Sequence, residues 1–212
     1  MFYYPFDPRI HNFGNIGLRG AIHAEFAPIF TKLIDFKAYN RRNIRKEITD
    51  KLLDKHSEQN YQESNEKDTE NYQILDLCCG VGFSTSEFGI DTSPQMINKA
   101  KRLFPDKKFM VANAEDFKPK NHDKFSAVTS MFSFHEMPMT AHEKIIENSM
   151  KLAKKEILII DISPEYESSQ LMRSGEPYLL DYQKTIEKTM DKYSFERSDY
   201  IPGHVTVWKF DV

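Results

Sequence analysis

The chain reads as an α/β protein built on a doubly wound, mostly parallel sheet of seven strands that ends in an antiparallel hairpin. Three observations lead there. Strand and helix signals alternate from Tyr72 onward, the pattern of parallel strands joined by helical crossovers. An apolar run passes into a glycine turn at Ile74–Gly82, ILDLCCGVG, with a carboxylate, Asp91, a short way on. The last two strand signals, Phe195–Tyr200 and His204–Phe210, are separated by Pro202 and Gly203, which mark a hairpin turn.

Length and charge bound what such a sheet can serve. The 212 residues suit one domain with an appendage, and a formal net charge of −3 with scattered cations gives no field to gather nucleic acid or an anionic membrane. A polyanionic partner, nucleic acid or membrane, is therefore not expected. The start, MFYYPFDPRI, lacks the charged and apolar regions of a secretory signal. The apolar runs are too short to span a bilayer. The two cysteines, Cys78 and Cys79, are neighbours that cannot form an unstrained disulfide, so a reducing, cytoplasmic location is expected. No metal site is expected.

Residues 1–55 are expected to form an N-terminal arm and a helical cap. Ile22, Phe26, Ile29, Phe30, Leu33 and Ile34 share one helical face, interrupted or kinked at Pro28, and a second stripe follows at Ile44, Ile48 and Leu52. Such faces must bury against something, either the open edge of the sheet as a lid or the sheet itself. Residues 56–71, HSEQNYQESNEKDTEN, hold one Tyr and no aliphatic side chain; burial cannot offset their ordering entropy, so a mobile polar linker is expected there. The remainder, 72–212, is the main domain.

Its first strand is Tyr72–Leu77, followed by the glycine turn, the start of a helix and a short second strand ending at Asp91. Ser93 and Pro94 open a helix whose buried stripe is Met96, Ile97, Ala100 and Phe104. Strands follow at Phe109–Asn113 and Phe125–Phe134. Thr140 and Glu143 have capping-box spacing and open a helix carrying Ile145, Ile146, Met150 and Ala153. A buried strand at Glu156–Ile162 and a helix at Leu179–Tyr193 precede the hairpin.

In an open sheet of this kind ligands bind beyond the carboxyl ends of the strands, where strand order reverses. The residues expected there are Asp76–Gly82, Asp91, Asn113–Asp116, Ser133–Glu136 and Asp161–Ser163. Glycine lets the turn approach a ligand closely, helix-terminal N–H groups favour an anion, and Asp91 is placed to hold a ribose diol. Asn113 or Glu115 can accept from an adenine amino group, and the Ala114 N–H can donate to the ring. Tyr166, Met172, Glu176, Pro177 and Tyr178 fall where a pocket wall would lie, as do the N-terminal aromatics.

These motifs resemble those of the class I S-adenosylmethionine-dependent methyltransferases, in particular the small-molecule methyltransferase domain, over roughly Tyr72–Phe210. LDLCCGVG is similar to the family's first motif, with Asp76 as its acid, Gly80 and Gly82 as its last two glycines, and Cys78 where the first glycine would stand. GIDTSPQMINKAK resembles the second, NAED at Asn113–Asp116 the adenine-contact motif, and SMFSFHEMP at Ser130–Pro138 the fourth. The resemblance implies a Rossmann-like fold, S-adenosylmethionine as cofactor, and Asp76, Cys78, Gly80, Gly82, Asp91, Thr92, Met96, Asn113, Ala114, Glu115 and Met131 as cofactor-binding residues. His135 is the candidate catalytic base and Glu136 the group that orients it or faces solvent. His23 and Arg19 are weaker candidates on the cap. The fourth motif lacks the Asn/Asp-Pro-Pro-aromatic cluster that stacks a flipped base, which favours a small acceptor.

One departure stands out. Gly82 and Asp91 are nine residues apart, whereas a dinucleotide pattern sets its acid about 20 beyond the glycines. The first crossover helix is thus expected to be shortened. A compact working site and a methyltransferase-like subunit with weakened cofactor binding both remain open.

Overall fold

The computed structural model describes residues 4–63, 72–120 and 124–212. Seven strands form one sheet in the order β3-β2-β1-β4-β5-β7-β6, with β1 at Ile74–Leu77, β2 at Phe88–Asp91, β3 at Lys108–Val111, β4 at Phe125–Met131, β5 at Ala153–Ile162, β6 at Glu196–Ile201 and β7 at Val205–Asp211. The pairs from β3 to β5 are parallel, and β7 runs antiparallel to both β5 and β6. Strand order therefore reverses between β1 and β4, and the expected sheet and closing hairpin are both present.

Among the described residues six α-helices accompany it: α1 at Gly17–Ala38, α2 at Ile44–Glu63, α3 at Pro94–Leu103, α4 at Met139–Leu152, α5 at Gln170–Gly175 and α6 at Leu179–Lys192. β1, β4 and β5 are buried along nearly their whole length, as strands covered on both faces must be. On one face Ile145 and Ile146 of α4 and Tyr182 and Ile186 of α6 pack on Leu75, Val128 and Ile157. On the other, Ile44, Ile48 and Leu52 of α2 pack on Ile74, Ala127 and Leu158, so the second cap stripe buries on the sheet itself.

Local signals set several boundaries. Ser93 caps α3 by accepting from the Met96 N–H at 3.2 Å, with Pro94 at the first position. The capping box at Thr140 does not form: α4 starts at Met139 behind Pro138, which leaves Thr140 inside the first turn. Pro28 lies inside an unbroken α1.

Three further expectations are corrected. No helix forms between β1 and β2; residues 78–87 are turns, bends and irregular backbone, because the connection is too short for a crossover with a helix in it. The polar stretch begins as the last turns of α2, which run to Glu63. His56 is buried there, bonded to the Glu156 carboxylate and stacked on Tyr72 with ring centroids 3.7 Å apart; residues 64–71 of the expected linker lie outside the described residues. The third concerns α1, whose first-stripe residues do not pack into the core: Ile22, Phe26, Ile29, Phe30, Leu33 and Ile34 are all 40% exposed or more, and of these Phe30, Leu33 and Ile34 border the space over the sheet as a lid would.

Candidate functional site

A cavity of about 880 Å³ lies over the carboxyl ends of β1, β2, β4 and β5, within the size range of small-molecule sites. The N-terminal arm and α1 close it from above. Its two sides are built differently.

On the side of β1 and β2, the ten residues between Leu77 and Phe88 fold back without a helix. Asp76, fully buried, takes over the helix's tethering role: its Oδ2 accepts from Ser84 Oγ and Thr85 Oγ1, each at 2.7 Å. Thr49 of α2 donates to the Ser84 carbonyl at 3.0 Å and fixes the turn from outside. Asp76 and Gly82 lie beneath the turn and are not among the residues that line the cavity. A Cβ on Gly82 would come within 2.7 Å of the Phe109 ring, so that glycine serves packing. Gly80 differs: at φ +52° it adopts a left-handed conformation, and a Cβ there would meet nothing within 4 Å. Cys78, where the motif usually has glycine, takes φ 55° all the same, a strain of the kind that collects at ligand sites.

Asp91 closes this side. Its carboxylate accepts from the Gly80 N–H at 2.9 Å and the Ser93 N–H at 2.8 Å, so the short crossover leaves it beside the glycine turn, on the cavity wall. Burial raises its pKa to about 6 despite those two N–H donors. Asp76 is likewise pushed up to about 6 by burial, against its hydroxyl donors. Thr92, Met96, Asn113 and Met131 also line the cavity. Ala114 and Glu115 do not; Ala114 is in the core, and the Glu115 carboxylate accepts from Lys144 at 2.8 Å.

Across the cavity, His135 and Glu136 sit in a 3₁₀ turn after β4. His135 Nδ1 is 2.6 Å from Asp161 Oδ1. The same carboxylate accepts from the backbone N–H groups of Phe134, Ile162 and His135, at 2.7, 2.6 and 3.2 Å. Asp161 is fully buried and His135 nearly so. Burial works against the imidazolium, but the Asp161 carboxylate outweighs it and raises the His135 pKa to about 9. Asp161, not Glu136, orients this histidine. Glu136 turns instead to His11 of the arm, whose Nε2 lies 2.9 Å away, while His11 Nδ1 lies 2.8 Å from Glu176. Burial disfavours the charged Glu136, yet the adjacent His11 cation holds it at about 2. These three residues offer donor atoms within 4.8 Å of one another, and both His11 nitrogens are committed to carboxylates. His23, stacked edge-on against His11 at 4.7 Å, is kept near 4 by burial and by the His11 charge.

Residues 74–156 match the family model described as a methyltransferase domain. The chain carries a class I methyltransferase fold. A S-adenosylmethionine-dependent methyltransferase from Clostridium acetobutylicum superposes with a TM-score of 0.60 at 12% identity, over 90% of this chain and 99% of that one. Magnesium protoporphyrin IX methyltransferase from Synechocystis, with S-adenosylmethionine bound, gives 0.52 at 13% identity, over 81% and 80%. No curated protein matches the sequence.

The methyltransferase family uses S-adenosylmethionine, and the residues here fit it. Gly80 leaves its approach open, and Asp91 stands at the end of β2 on the cavity wall. Sequence reading placed Asp161 at the ligand end of the sheet without a partner, and gave no role to two other residues of the cavity, His11 and Arg45. Asp161 left a signal, as a lone carboxylate ending the apolar run EILIID that must find donors once buried. His11 left none. Neither did Arg45, whose guanidinium lies 4.4 Å from the Phe132 ring and 3.3 Å from Asp35 at the cavity edge.

Proposed function

We propose that this chain transfers a methyl group from S-adenosylmethionine to a small-molecule acceptor inside the cavity capped by the arm and α1. The observation that carries the reading is the pairing of two unlike walls across one space. An open glycine and a diol-ready carboxylate, Gly80 and Asp91, face a buried His135–Asp161 pair. The cofactor supplies a methyl group already activated as a sulfonium, so the chain has mainly to position the acceptor and exclude water.

In this reading Asp91 holds the ribose hydroxyls, Met96 and Asn113 flank the adenine, and Met131 borders the sulfonium. With a pKa near 9, His135 carries its proton at neutral pH, which supports a donor role in place of the base role read from sequence. Its Nε2–H then orients an acceptor oxygen that arrives ionised, and Asp161 keeps the imidazolium in place. No proton has to be taken up by the enzyme. Glu136 and Glu176, tied to His11, fasten the arm over the cavity rather than serving the acceptor. Free Cys78 and Cys79 and a small-molecule acceptor accord with a cytoplasmic enzyme. No helix among the described residues is long and apolar enough to cross a membrane.

Calorimetric titration with S-adenosylmethionine and S-adenosylhomocysteine tests the reading. Binding with a dissociation constant on the order of 1 μM–1 mM is expected for both. The missing crossover helix favours the competing reading, a non-catalytic methyltransferase-like subunit. Absence of heat and of any thermal shift with either compound would decide for that one.

A further inference from the structure

α1 is turned inside out. At roughly 100° per residue, Leu18, Ile22, Phe26, Ile29, Leu33 and Phe36 fall within a sector of about 80°, and every one is at least 40% exposed. The opposite face, which packs on the protein, carries Gly20, His23, Ala24 and Asp35. The inward choice has a local cause. Ala24 fits against Val81 and Met96, and Glu25 is held by Lys99 and Arg102 of α3. The apolar stripe is thereby left in water. An exposed apolar patch of this extent with a polar rim marks an interaction surface.

Charge decides what it meets. Residues 17–42 hold five cations and two carboxylates, and both carboxylates are engaged, Glu25 as above and Asp35 by Arg45. Arg19, Lys32 and Lys37 make no ion pair among the described residues. They border the stripe at both ends and along one edge. An apolar stripe flanked by free cations suits an anionic lipid surface. A second copy suits it less, because antiparallel pairing of two α1 helices about their midpoint sets Arg19 of one beside Lys37 of the other. The chain's overall charge of −3 argued against a membrane, but that balance is an average this face does not share.

We propose that α1 docks this protein on an anionic membrane surface, lying flat with its apolar stripe among the headgroups and upper acyl chains. Phe30, Leu33 and Ile34 are exposed and also line the cavity, as does Lys37, so docking sets the cavity's rim against the lipid. The inference does not depend on the methyl-transfer reading.

Flotation of the full chain with phosphatidylcholine vesicles, with and without phosphatidylserine, tests it. Binding is expected to the mixed vesicles, at least about tenfold weaker to phosphatidylcholine alone, and weaker with added salt. The substitutions Phe26→Ser and Ile29→Ser, both outside the cavity wall, should together lower binding at least about tenfold with unchanged circular dichroism. Arg19→Gln and Lys32→Gln should each lower it about fivefold. Phe26→Trp should be quenched by brominated acyl chains. Failure to float with phosphatidylserine vesicles would overturn the proposal, as would quenching or binding that ignores the α1 substitutions. A concentration-dependent dimer dissociated by Phe26→Ser, without vesicle binding, would assign the stripe to a second copy instead.

Discussion

The two walls of the cavity bury carboxylates in opposite ways. On the β1–β2 side, Asp76 and Asp91 are surrounded only by hydroxyl and backbone N–H donors, and burial raises both to about 6. On the β4–β5 side, Glu136 meets a histidine cation and falls to about 2, while the Asp161 carboxylate lifts His135 to about 9. All four are shielded from bulk water, Asp76 and Asp161 fully buried and Asp91 and Glu136 half-buried. A full opposite charge at hydrogen-bond distance outweighs desolvation; neutral dipoles do not. One wall is thus able to gain or lose charge in the mildly acidic range, and the other stays fixed as ion pairs through neutral pH.

The largest break in that contrast should come from Asp161→Asn. Removing one partner strands an imidazolium in the interior and should cost about 3–5 kcal/mol, seen as a lowered urea midpoint, with the His135 titration moving below its ordinary 6.5. A fall of under about 1 kcal/mol would show that the neighbouring N–H groups, not the carboxylate, hold the turn.

Next are the two glycines of the opposite wall. Gly82→Ala should lose about 1–3 kcal/mol by crowding Phe109, beyond the backbone strain of about 1–2 kcal/mol that both positions carry. Gly80→Ala should show the strain alone in the melt yet lose S-adenosylmethionine binding in calorimetry. Equal melting losses would mean that Gly80 too is a packing residue.

Asp91→Ala should then weaken S-adenosylmethionine at least about tenfold, the worth of a charge-assisted pair of hydrogen bonds. A change below about twofold would mean that the short crossover leaves the carboxylate out of reach of the ribose.

The smallest effects are in pH, and they have opposite signs on the two walls. Asp91 must be ionised to hold the diol, so affinity should fall as pH drops through about 6. The His135 contribution to stability is complete below 6.5 and is lost as pH rises through about 9. Binding isotherms and denaturant midpoints taken from pH 5 to about 10 separate the two. A single common transition would contradict the division.

Much of this was legible in the sequence. Alternating strand and helix patterns gave the sheet, Ser93–Pro94 gave the start of α3, and the glycine turn with Asp91 gave one wall of the cavity. Each rests on spacing of a few residues, which a chain carries locally. The separation of nine residues between Gly82 and Asp91 likewise announced a curtailed crossover, though not that Asp76 would tie the turn with two hydroxyls in place of a helix. What tertiary structure alone decided involves partners far apart. His11 reaches Glu136 across 125 positions, His135 finds Asp161 on the next strand, and α1 turns its apolar side outward because Ala24 and Glu25 fit α3 better. Periodicity tells that a helix has an apolar face; only the neighbours, through close fit and charge, determine which face they cover.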